Sequence, residues 1–148
     1  MGRRYWWSAF VIGALAIGLP LWGTYSRRQR LPQCALDGVA IVPTYAVEID
    51  VEGQPTRRFC CIRCAEYWLD IEQESLQSIS VTVVDEVSAQ PIDARDAVFV
   101  RSPVTTNAVT GNNIHAFAEA ADAQEHADQF HGRLLNDHER PFHEAFRR

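Results

Sequence analysis

Two hydrophobic patterns divide the chain. Residues 5–25 run without a charge, about 30 Å as a helix, which matches the hydrocarbon thickness of a bilayer. Tyr5, Trp6, Trp7, Trp22 and Tyr25 cluster at its two ends, where interfacial aromatic residues belong. Pro20 falls in the last turn or two, a position that membrane helices tolerate. Beyond Arg30 the apolar residues come in short alternating runs. Residues 39–42 and 45–51 predict strands, Gly53-Gln54-Pro55 a turn, 57–60 a return strand and 65–74 a helix. Residues 80–87 alternate again and are expected to pair with 97–101 through a connection containing Pro91. A last helix is predicted over 113–131. The order strand, strand, helix therefore occurs twice, and the expected class is α+β: an N-terminal transmembrane helix, then a small domain of two strand-strand-helix units.

The last helix carries most of the histidines. Asn112 or Asn113 is suited to cap it, and Gly132 stands just past its end, where a left-handed residue is often wanted. At 100° per residue, Phe117, Ala120, Ala121, Gln124, Ala127 and His131 share one face, with His115 and His126 nearly opposite. His131 is expected to point inward, as a core residue or a ligand, and the other two to face water. Residues 136–148 form a polar C-terminal tail broken by Pro141, expected to lie in solvent or on a partner. The organisation read is residues 1–30 as anchor and basic juxtamembrane segment, 31–135 as one domain, and 136–148 as tail.

Charge is uneven. All 19 acidic residues lie beyond Arg30, against nine of the 14 arginines, and the chain has no lysine. Such a surface repels nucleic acid, so no nucleic-acid partner is expected. Arg27, Arg28 and Arg30 read as lipid head-group contacts, and the lipid bilayer, through residues 5–25, is the first expected partner. A cleaved signal peptide is the alternative, but no small-x-small cleavage site follows and the apolar run exceeds a signal core. The ordinary export route, which leaves a short N-terminus in the cytoplasm, sets the expectation of a single-pass protein with its domain on the periplasmic side of the inner membrane. Charge counting, with Arg3 and Arg4 facing Arg27, Arg28 and Arg30, would put either end inside, with a small edge to the opposite orientation.

Four cysteines supply the candidate chemistry. Cys34 is followed after 25 residues by Cys60, and Cys61 and Cys64 complete the run Phe59-Cys60-Cys61-Ile62-Arg63-Cys64. If Cys60 ends a strand and Cys64 lies one turn into a helix, both sulfurs can point at one spot while Cys34 arrives from an earlier loop. Three thiolates there suit a soft or borderline cation, Cu(I) or zinc. A helix starting near Cys61 is expected to lower the pKa of a thiol in its first turn. The candidate metal residues are Cys34, Cys60, Cys61, Cys64 and His131. A structural disulfide from Cys34 to the knuckle is the alternative. Cys61-Ile62-Arg63-Cys64 also has the spacing of a thiol redox pair, but it closes a hairpin, whereas a thioredoxin motif follows the first strand of a βαβ unit. Carboxylate pairs such as Asp70 with Glu74 read as solvated charge. There is no glycine-rich phosphate loop, zincin helix or haem attachment motif, and no catalytic residues are assigned.

Several short pieces, in order, carry a resemblance: Cys34 with Gly38, Val83-Val84-Asp85, Ile92-Asp93-Ala94 with Ala97-Val98-Phe99-Val100, Ala116-Phe117, and His131-Gly132. Over residues 34–136 the chain resembles the NosL family, membrane-tethered periplasmic copper chaperones of nitrous oxide reductase assembly. The knuckle at 59–64 is similar to the treble-clef-like TRASH and YHS heavy-metal domains. The resemblance implies two related strand-strand-helix units and copper handling outside the cytoplasm. The chain departs from the family's Cys-Gly-Met start, and Thr110-Gly111 stands where members carry Met-Gly. Its only methionine is Met1, so no thioether is available and Cys60, Cys61 and Cys64 are the sulfurs left to replace it. The expected function is a membrane-anchored metal-binding accessory protein for assembly of a client metalloenzyme. The alternatives are a non-catalytic subunit of a membrane or respiratory complex, with a structural metal or disulfide, and a thiol redox factor.

Overall fold

Residues 31–72 and 78–147 are described by a computed structural model of the chain; the expected anchor at 5–25 lies outside them. Among the described residues no helix is long and apolar enough to cross a membrane.

Alternation in β1 (Val47–Val51) turns Val47, Ile49 and Val51 inward and leaves Glu48 and Asp50 facing outward. Gly53, at φ +77°, makes the turn and brings back β2 (Arg57–Phe59), antiparallel, with Val47 opposite Phe59. Helix α1 (Ile62–Glu72) follows at once, burying Ile62, Cys64, Ala65, Trp68 and Leu69. β3 (Ile79–Val84) then lies along the other side of β1, and β4 (Pro91–Asp93) along β3, giving a four-stranded antiparallel sheet in the order β2-β1-β3-β4. Proline suits this edge position, where its missing N–H leaves no ladder partner unsatisfied. Phe59 and Trp68, with centroids 5.5 Å apart, anchor α1 to the sheet.

A second, three-stranded antiparallel sheet is built from β5 (Val98–Arg101), β6 (Ile114–Phe117) and β7 (Arg133–Leu134) in the order β6-β5-β7, with α2 (Ala120–Gln129) between β6 and β7. β5 is buried on both faces. Phe99 joins the main core with Ile41, Val83 and Ala116, whereas Val100 turns to Phe117, Ala123 and Ala127 beneath α2.

Among the described residues the class is α+β, with two antiparallel sheets and two α-helices, and strand-strand-helix occurs twice, as β1-β2-α1 and β5-β6-α2. The pairing expected of residues 80–87 with 97–101 does not form. β3 fills the free edge of β1 instead, and β5 starts its own sheet, because residues 114–117 are a strand and not the first turn of the last helix. Residues 39–42 contribute only one bridge, Ala40 to Gln33, before a 3-10 turn at Pro43–Tyr45.

The end of α2 also differs from expectation. His131, not Gly132, takes the left-handed conformation, at φ +53°. Gly132 is required by crowding: a Cβ there would stand 2.9 Å from the Arg101 carbonyl oxygen and from Ser102 Cβ. The C-terminal tail is not free either. Pro141 and Phe142 are buried, and Arg140 donates to the carbonyls of Arg95 and Ala97 at 2.8 Å while lying over the Phe99 ring.

Candidate metal centre

Three separate pieces of backbone meet at the cysteines. Cys34 and Val39 close a tight loop, with Cys34 N–H donating to Val39 O at 2.8 Å and Gly38 N–H donating to Cys34 O at 3.0 Å. Gly38 sits at φ +71°, a conformation that favours glycine. Ala35 N–H donates to Arg58 O at 2.8 Å, which fastens the loop to β2 just before the knuckle. β2 ends at Phe59, and Cys61 O accepts the first helical bond, from Ala65 N–H at 3.3 Å. Cys60 therefore sits at the strand-to-helix turn and Cys64 in the first turn of α1.

All four cysteines are buried free thiols. Cys34, Cys60, Cys64 and the carboxylate of Asp37 offer ligand atoms that lie within 4.8 Å of one another. Within this group Cys60 Sγ and Cys64 Sγ are 3.6 Å apart, and Cys64 Sγ lies 3.3 Å from Asp37 Oδ2. Cys61 stands beside the group, its sulfur 3.9 Å from Cys60 Sγ but turned to Thr110 Oγ1 at 3.3 Å. The 102–113 connection between β5 and β6 covers the knuckle. Asn107 Nδ2 donates to Cys60 Sγ at 3.1 Å, and Arg63 reaches the Thr110 carbonyl at 2.9 Å. Asn112 braces this connection from within, donating to Thr106 Oγ1 and to the Ile114 carbonyl.

The electrostatics differ from what the helix start alone implies. Burial, reinforced by the neighbouring Cys61, pushes the Cys60 and Cys64 thiols well above the usual thiol range. The first-turn thiol is therefore raised, not lowered, because desolvation of a thiolate next to other sulfurs and a carboxylate outweighs the helix terminus. Burial also works against the Asp37 carboxylate, but Val39 N–H and the thiols of Cys34, Cys64 and Cys60 hold it below the ordinary range. Without an ion the Asp37 carboxylate faces the protonated thiols of Cys60 and Cys64. A thiophilic cation would displace the thiol protons and neutralise the crowded charge.

His131 does not join these sulfurs. α2 stops at Gln129, the backbone turns at His131, and its side chain is exposed. His115 and His126, expected to face water, are drawn inward: His115 is 1% exposed on β6, and His126 is partly buried on α2. Carrying the helical period through a strand put all three on the wrong faces. Asp37 and the covering Asn107 were not singled out by the sequence, and Thr110 entered only as the residue standing where the resembled family carries methionine. The only signal for Asp37 was its place within three residues of Cys34.

No family model matches the sequence, and no curated protein matches it either. A solved structure does: the copper chaperone NosL from Shewanella denitrificans, 24% identical, with a TM-score of 0.57 over 71% of this chain and 86% of that one. The domain has the NosL fold. Within it, Thr110, at the position where the resemblance expects methionine, packs directly against Cys61.

Proposed function

We propose that the chain is a membrane-anchored accessory protein on the periplasmic side that binds Cu(I) through Cys34, Cys60 and Cys64 for delivery to a client metalloenzyme. One observation carries this reading: three buried thiols from two distant segments, with Asp37, gather within 4.8 Å. Thiolates in that number suit a soft monovalent ion, and the likeness of fold to a copper chaperone supports the same cargo. Residues 5–25 would hold the domain at the membrane surface, near partners assembled there. Because no thioether is present, the ion is held by thiolates and should be retained more tightly than at thioethers.

Asp37 favours a second reading. Three sulfurs and one carboxylate oxygen make a four-coordinate set that suits zinc as a fixed structural ion.

Anaerobic titration of the reduced full-length chain in detergent separates the two. The cargo reading expects one Cu(I) per chain, passed on to a thiol acceptor. Affinity falls at least about tenfold in Cys34→Ala or Cys64→Ala, while the fold is kept. A zinc ion that survives moderate chelator, in a chain whose cysteine variants unfold, supports the fixed centre; no metal uptake at all refutes both.

A further inference from the structure

A second cluster lies away from the cysteines, where α2 crosses β6. His115 Nδ1 is 3.0 Å from both carboxylate oxygens of Glu86, so this nitrogen carries the proton and donates it. The other nitrogen, Nε2, faces Ser102 and Val104. It lies 3.1 Å from Ser102 Oγ and 3.1 Å from the Val104 carbonyl oxygen. His126 Nε2 converges on the same hydroxyl at 3.3 Å. Ser102 Oγ already accepts from Val104 N–H at 3.2 Å, and its single proton can serve only one imidazole. Two imidazole nitrogens, a hydroxyl and a carbonyl oxygen thus converge on one place, a donor set of the kind that holds a cation.

We propose that this cluster is a second metal site, for a borderline divalent cation of the zinc class, with His115 Nε2 and His126 Nε2 as nitrogen ligands. Ser102, the Val104 carbonyl or water completes the set. Glu86 serves as the outer partner that fixes the His115 tautomer and raises its basicity, the usual role of a carboxylate behind a metal-bound imidazole. Donor atoms of Glu86, His115 and His126 lie within 4.8 Å of one another. Bonds of about 2.0–2.1 Å in a tetrahedral site require the two nitrogens to stand about 3.3 Å apart. Phe117 and Phe130 flank the His126 ring, with centroids at 5.2 and 4.6 Å, and limit water on that side. Burial, with His115 adding to it and Glu86 opposing it, lowers the pKa of His126. Nitrogen and oxygen donors distinguish this site from the sulfur-rich one. Ser102 also opens the connection whose middle carries Asn107 and Thr110 onto the cysteines.

The test is a Zn2+ titration of the full-length chain, followed through the histidine ring nitrogens by NMR; these report the cluster whether or not the cysteines also take zinc. The expected result is a ligation shift at Nε2 of both His115 and His126. The His115 shift is lost in His126→Gln. The conservative Glu86→Gln weakens the site about 10- to 100-fold, with thermal melting of the metal-free variants as the check on folding. The proposal is overturned if His115 Nε2 carries a proton given to Val104 and does not respond to zinc. It is equally overturned if the response survives in His126→Gln, or if zinc moves only His131, His138 and His143.

Discussion

Asp85 shows how one side chain joins both sheets. Its carboxylate accepts from Ser88 N–H at 2.8 Å and Ser88 Oγ at 2.5 Å in the β3-β4 turn, and from Ala118 N–H at 3.1 Å between β6 and α2. Burial pushes its pKa up, but these donors outweigh it and hold the carboxyl below the ordinary 3.8. A lowered folded-state pKa means that the stabilisation is complete above the unfolded value and is lost as pH falls through the folded one. Asp85→Asn should therefore cost about 1–3 kcal/mol near neutral pH, and the gap in urea midpoint between the two proteins should narrow as pH falls below the ordinary 3.8 towards the lowered folded-state value. His131 makes the opposite case. A non-glycine residue in the left-handed region is strained, so His131→Gly should leave stability unchanged or slightly raised and leave metal uptake at the cysteines intact; a loss of uptake would restore it as a ligand. At this scale the cysteines were legible, because a strand-to-helix turn places residues four apart on one side. Asp37 was not, because its position depends on the tight 34–39 loop bonding to β2.

At the scale of elements, the first unit followed its sequence pattern closely and the second did not. β1 alternates cleanly and finds the turn at Gly53, so the β1-β2 hairpin and α1 could be read directly. β6 is only four residues long, and its His115, Ala116 and Phe117 are all buried, which hides the two-residue period and lets it merge with the helix that follows. Misreading β6 removed the natural partner of β5 and turned three histidines to the wrong faces. The packed C-terminus was equally hidden, since its polar composition concealed Arg140 and Phe142. Arg140 donates to the carbonyls of Ala94, Arg95 and Ala97. Arg140→Ala should destabilise the domain by about 2–3 kcal/mol through these charge-assisted bonds. A denaturant midpoint indistinguishable from the parent would mean that the segment lies loose, as its composition implies. Gly132→Ala should also be destabilising, by about 1–3 kcal/mol, because a new Cβ is forced against the β5 backbone.

For the whole molecule, the two sheets matter functionally because the connection between β5 and β6 reaches across to the knuckle that ends the β1-β2 hairpin. Asn107 on Cys60 and Thr110 on Cys61 make the second sheet a cover for the sulfurs. Metal uptake should therefore tighten both halves together. The account rests on one ion shared by Cys34 from the 34–39 loop and by Cys60 and Cys64 from the β2-to-α1 turn, and the sulfur count around bound copper tests it most directly. X-ray absorption of the anaerobic full-length chain loaded with one equivalent of Cu(I) should find three sulfur neighbours, falling to two in Cys34→Ser. Two or fewer sulfurs in the parent chain, or a count untouched by replacing Cys34, would contradict it.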